Sequence, residues 1–265
     1  MSVFQIRKLK TQNDEKVNYY LPGQSSDDLH LNPLINKDVQ INFTGNKYCI
    51  STGKKIKQTY GQGYSWEEYV TLAQCDECIV RPELCHYSQG TCREPSWGEK
   101  HCFVPHVIYL SLTSDLKIGI TRKTQVPTRW IDQGASKAIK IAEVKDRKTS
   151  GLVEFEIAKD MKDKTNWIKM LKNESTEVDL LSEKKKVLEN YKSLFNKYEV
   201  SIADDEIVEI NYPVIQYPTK VKQINLDKVN QISEKLLGIK GQYLIFESGV
   251  LNMRKHQGYE IEIKG

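Results

Sequence analysis

Long apolar runs are missing from this chain of 265 residues. No stretch of about 18 apolar residues occurs, so no membrane-spanning helix is expected. The opening segment, MSVFQIRKLKTQNDEK, lacks the apolar region of a secretory signal, and a cytoplasmic protein is the expectation. Walker loops, dinucleotide glycine fingerprints and Ser-His-Asp motifs are not visible. Gly61-Gln-Gly63 is too short for a phosphate loop. A dominant charge is also missing: 39 Lys plus Arg against 35 Asp plus Glu leave a surplus of +4. So small a surplus identifies no partner unless it is clustered. What is present is 39% hydrophobic residues, enough for a buried core, which excludes a disordered chain, a collagen or a coiled-coil rod.

The pattern along the chain predicts an α+β protein in four segments. Residues 1–45 carry alternating runs such as Val17-Asn-Tyr-Tyr-Leu21 and Val39-Gln-Ile-Asn-Phe43, which suit half-buried strands. Residues 46–106 are rich in Cys, Gly and His and too poor in apolar periods to build a core unaided. Residues 107–205 begin with two strands, Val107–Leu112 and Leu116–Thr121, joined by a turn at Ser114-Asp115. Pro127 can open a helix. Ile139–Val144 reads as a third strand, and Leu152, Phe155, Ala158 and Met161 recur at helical spacing. The order is β-β-α-β-α. A helix over Ser182–Tyr198 extends it. Residues 206–265 form a small β unit, with strands at Tyr243–Phe246, Val250–Met253 and Tyr259–Ile263.

Five of the six cysteines fall between positions 75 and 102. Without a secretory signal, such clustering reads better as metal binding than as disulfides. Cys75-x-x-Cys78 forms a knuckle that places two thiolates on one side, and a structural zinc needs four ligands in a tetrahedron. Cys85 and Cys92 can close the site, so the expected zinc set is Cys75, Cys78, Cys85 and Cys92. His86, His101, Cys102 and His106 are further candidates. Cys49-Ile-Ser-Thr52-Gly-Lys-Lys55 has the shape of a second knuckle with Thr52 at the second cysteine position, or else is an ordinary hairpin.

Ile108-Tyr109-Leu110, Lys117-Ile118-Gly119-Ile120-Thr121, Arg129 and Glu154 together resemble the GIY-YIG nuclease superfamily over about residues 106–170. The resemblance implies a small mixed αβ core with the cysteine segment inserted beside it. It implies a divalent-metal-dependent phosphodiesterase acting on DNA or RNA. Tyr109 and Lys117 then stand at the tyrosine positions of the two motifs, Arg129 on the following helix, and Glu154 as ligand for Mg²⁺ or Mn²⁺. The sequence departs from the family in three places. Ile108 stands where glycine is usual, Lys117 where the second tyrosine is expected, and Gln133 where a histidine is common. A lysine is a poor base unless burial lowers its pKa. The alternative reading is therefore a nucleic-acid-binding module, or an RNA-processing or modification factor, with an altered site. Segments such as Thr91–Gly98, His101–His106, Arg129–Ala135 and Gly238–Leu244 also resemble an uncharacterised bacterial family of similar length.

Basic residues gather around the second strand and the helix after it. Arg122, Lys123 and Lys137 can track phosphates, and Trp130 can stack on a base. Lys240, Arg254, Lys255 and His256 suggest a second patch.

Overall fold

The computed structural model describes residues 2–24, 27–161 and 165–265. It is a mixed α+β structure with several sheets and short helices. None of the described helices is long and apolar enough to cross a membrane. The chain divides into two compact units. One holds residues 1–70, 171–173 and 210–265; the other holds 71–170 and 174–209. The first and last of the expected segments thus share a unit. Most of the cysteine segment lies in the same unit as the β-β-α-β-α core.

In the first unit, an eight-stranded sheet runs Ser2–Gln5, Tyr259–Lys264, Asp38–Tyr48, Gln231–Lys240, Tyr243–Phe246, Val250–Asn252 and Gln223–Ile224, with Lys55–Ile56 pairing onto Asp38–Tyr48. N- and C-terminal strands are therefore neighbours. Alternation explains the burial: Val39 and Ile41 face inward beside Ile232, Ile261 and Ile263. The expected second basic patch is not formed as such, because Lys240 and His256 are buried. Lys240 Nζ donates to Asn173 Oδ1 at 2.8 Å and lies over the rings of Tyr212 and Tyr217, each 5.3 Å away. Burial brings its pKa down to about 8.

The second unit is built on the His106–Leu112 strand. It pairs antiparallel with Leu116–Arg122 on one side and Lys137–Val144 on the other. All seven of its residues are buried. Ile108 and Leu110 enter a cluster with Ile118, Ile139, Val153, Ile157, Leu180, Val187 and Phe195. Tyr109 and Ser111 point to the opposite face by strand alternation. Asp146 caps the Arg147–Ile157 helix by accepting from the Thr149 amide at 2.7 Å.

Two helical expectations shift. Val153 and Ile157, four apart, form the buried stripe of Arg147–Ile157, while Phe155 is exposed. The stretch expected as one helix over 182–198 is two, Leu180–Asn190 and Lys192–Lys197, broken at Tyr191 and capped by Asp179 rather than Ser182. Lys184 is buried on the first of them. Its ammonium is satisfied by the Ala203 and Asp204 carbonyls and by Asp205, which ties down the segment before the Ile207–Glu209 strand.

Candidate functional site

The second unit gathers two groups of chemistry-bearing side chains. The first begins at Gly119, which lies directly across from Tyr109 in the strand pair. A Cβ at position 119 would sit 2.6 Å from the Tyr109 hydroxyl, so glycine leaves the space the phenol occupies. That hydroxyl donates to Gln133 Oε1 at 2.9 Å. Arg129 lies within hydrogen-bonding reach of the same phenol, and Glu154 is close enough to act on it electrostatically. Trp130 packs edge-on against the Tyr109 ring, 5.7 Å between centroids. Arg129 and Glu154 remain partly exposed above the enclosed tyrosine.

Burial pushes the Tyr109 phenol up to about 12, with Glu154 adding to the effect and Arg129 opposing it. At neutral pH this group is a hydrogen-bond donor and not a base. Lys117 is two residues before Gly119, opposite Ser111, and only 5% exposed. Of the four residues taken from the motifs, Tyr109, Arg129 and Glu154 therefore meet, with Lys117 on the same strand face.

The residues expected to contact nucleic acid differ among themselves. Trp130 is fully buried against Tyr109 and offers no face to a base, which corrects the stacking expectation. Lys123 is exposed and paired with Glu143 at 2.7 Å, and Lys137 with Glu209 at 2.8 Å. Such surface pairs are weak and can open to a phosphate. Arg122 is half-buried on the edge of the hairpin.

The second group lies in the cysteine segment. Cys78, Cys85, Cys92 and Cys102 line one cavity with Asp76, His86 and Trp97. Burial, then Asp76 and the other three of these cysteines, push the Cys78 thiol up to about 12. Cys75, expected as a ligand, sits on the Ala73–Cys75 turn and does not line that cavity. Asp76, Cys78 and His86 place one donor atom each within 4.8 Å of one another.

Arg147 joins the two groups. Its amide donates to the Cys102 carbonyl at 2.8 Å and its guanidinium to the Ile79 carbonyl. Burial lowers its pKa, while the neighbouring Cys102, Cys78 and Glu154 favour the charge and Arg129 opposes it. Gln133 and Arg147 were the residues hardest to find from sequence. Only helical spacing from Arg129 marked Gln133, and nothing separated Arg147 from the basic residues around it.

In the first unit, Cys49 sits in the turn of an antiparallel hairpin between Asp38–Tyr48 and Lys55–Ile56, the ordinary-hairpin reading of this stretch. The Ser65 amide donates to its Sγ at 3.2 Å. Burial opposes ionisation, but the Thr52 hydroxyl and the amides of Thr52, Ser65 and Ser51 outweigh it and bring the thiol down to about 7.

Fold and sites thus define a two-unit α+β protein with a cysteine-lined cavity beside a buried-tyrosine polar cluster. Residues 36–261 match the family DUF2797, described as a protein of unknown function, and the chain belongs to that family. No significant match to it is found among curated proteins or among solved structures.

Proposed function

We propose that the chain is a nucleic-acid-interacting protein with a GIY-YIG-like core that acts as a divalent-metal-dependent phosphodiesterase on DNA or RNA. The observation that carries this reading is the meeting of Arg129 and Glu154 over Tyr109 and Gly119. Arg129 has the fork geometry to hold a phosphate oxygen. Glu154 is a hard, partly exposed oxygen donor, which fits Mg²⁺ or Mn²⁺. Mg²⁺ keeps several of its waters, so one protein carboxylate is a sufficient anchor. When bound, such an ion supplies Lewis-acid stabilisation of charge on the phosphate. Tyr109 is a positioning residue: its protonated phenol, fixed by Gln133, holds Arg129 in place. Arg122 and Lys123 extend the positive edge along the hairpin and give the backbone of the nucleic acid a track.

A second reading, binding without cleavage, is favoured by the enclosed Tyr109 and by Lys117 at the second tyrosine position. One experiment separates them. Purified protein is incubated with mixed DNA and RNA in Mg²⁺ or Mn²⁺, beside Glu154→Gln. Cleavage by the parent that Glu154→Gln abolishes supports the phosphodiesterase. Binding that Arg129→Ala weakens, with no cleavage in either metal, supports the binding module. Absence of both binding and cleavage overturns the proposal.

A further inference from the structure

The stretch from Thr71 to Pro105 has almost no core. Three of its residues are buried: Ala73, Pro82 and Gly98. Its apolar side chains Val80, Leu84 and Phe103 are exposed. The backbone runs through four single-turn 3-10 helices, Ala73–Cys75, Glu77–Ile79, Pro82–Leu84 and Tyr87–Gln89, before the Pro95–His101 helix. Single turns do not hold themselves together in water. A segment of this kind needs a cross-link, and none of the six cysteines is in a disulfide.

The cross-link has a place. Cys78 lies in the Glu77–Ile79 turn, Cys85 follows Pro82–Leu84, Cys92 follows Tyr87–Gln89, and Cys102 ends the Pro95–His101 helix. Each comes from a different piece of backbone, and all four line a cavity of about 20 Å³, where no three of their sulfurs lie within 4.8 Å of one another and an ion would draw them together. The cavity has room for a single water or ion. The Pro95–His101 helix lies against this cavity: a Cβ at Gly98 would be in ordinary contact with Cys92 Sγ, at 3.7 Å.

A second observation concerns charge. Arg147 Nε is buried with no hydrogen-bond partner among the described residues. Its guanidinium lies close to Cys78 and Cys102. Four neutral thiols leave that cation poorly compensated. Four thiolates around one Zn²⁺ carry a net charge of two minus and compensate it.

We propose that Cys78, Cys85, Cys92 and Cys102 hold one structural zinc ion as a tetrathiolate. The site is independent of the phosphodiesterase reading. Cys102, rather than Cys75, completes the set. Asp76 and His86 are the competing donors beside Cys78, with His86 Nε2 3.5 Å from Asp76 Oδ2, and the fourth thiolate is preferred to them because it compensates Arg147. Asp76 pairs with Arg93 at 2.9 Å and caps the next turn, and His86 Nδ1 is 2.8 Å from Thr91 Oγ1. Binding converts four thiols into four thiolates and releases four protons, so zinc affinity falls with falling pH.

The test uses the full chain. Zinc content and zinc affinity are measured for the parent and for Cys75→Ser, Cys78→Ser, Cys85→Ser, Cys92→Ser, Cys102→Ser and His86→Ala. One zinc per parent chain is expected. The variants at 78, 85, 92 and 102 should each lose at least about tenfold in affinity, since even outer partners of a metal act in that range. Cys75→Ser and His86→Ala should keep the parent value. Should the serine variants precipitate, the cobalt-loaded parent decides: its thiolate-to-cobalt charge-transfer absorption reads the number of sulfur ligands, and four are expected. A folded parent that binds no zinc overturns the site. So does loss of zinc in Cys75→Ser with retention in Cys102→Ser, or a cobalt spectrum of three or fewer thiolates.

Discussion

Two stretches adjacent in the chain solve the problem of staying folded in opposite ways. From Thr71 to Pro105, three of 35 residues are buried. From His106 to Leu112, all seven are. The strand rests on removal of apolar surface from water, at about 25 cal/mol per Å². The cysteine stretch cannot: polar contacts join its turns, which bring four thiols to one cavity. Folding energy and chemistry are thus divided between neighbours: one packs, the other gathers ligands.

The contrast is sharpest at Leu110. Leu110→Ala leaves a cavity in the cluster with Ile118 and Ile139, and about 2–5 kcal/mol of stability should be lost. Urea unfolding measures this. A loss under about 1 kcal/mol would deny the strand its role as the centre of the core.

His106 marks the border between the stretches. Burial, aided by Arg147 and Arg122 and opposed by the Val104 carbonyl and Asp146, holds its pKa down to about 4. Below its unfolded value of about 6.5 the unfolded chain gains a proton that the folded chain refuses. Stability from this group is therefore present above that pH and is lost as pH falls toward 4. The upper bound is about 3.5 kcal/mol, at about 1.4 kcal/mol per unit. His106→Gln should flatten the pH 6.5–4 slope relative to the parent, and equal slopes would show that the ring protonates freely in the native state.

Gly119→Ala tests the enclosed tyrosine. The added methyl meets the Tyr109 hydroxyl at 2.6 Å, and the cost of such overpacking is about 1–3 kcal/mol. Tyr109→Phe in the same background should recover part of it, because the colliding oxygen is gone. The smallest effect is expected in the cysteine stretch. Val80 is 83% exposed, so Val80→Ser should change stability by no more than about 0.5 kcal/mol. A larger loss would reveal a core that the burial pattern does not contain.

Much of the second unit was legible in sequence because its strands are short apolar runs and the first two are separated by an obvious turn. Tyr109, Arg129 and Glu154 could be singled out from motif positions alone, and the structure brings their side chains together. Trp130 could not be judged, since an aromatic beside an arginine reads equally well as a stacking platform or as a core residue. Only the helix's placement over Tyr109 decides it. Spacing drew attention to Cys75 because it lies three residues before Cys78. The folding back of Pro95–His101, which brings in Cys102, leaves no such local mark. The break at Tyr191 has no proline or glycine to announce it. The buried Lys240 and Lys184 are invisible to composition, because each depends on partners far along the chain.

The central position of His106–Leu112, flanked by a strand on each side, has a consequence for amide hydrogen exchange. Its backbone groups bond to two neighbours at once, to Leu116–Arg122 and to Lys137–Val144. No fraying of a single edge can expose the whole strand to solvent. Its amides should exchange only when the second unit opens as a whole, and their protection factors should report that global opening. Amides in the single turns of 73–89 should exchange orders of magnitude sooner in the metal-free chain. Adding zinc then becomes a direct readout of how far the ligand-gathering stretch borrows order from a bound ion.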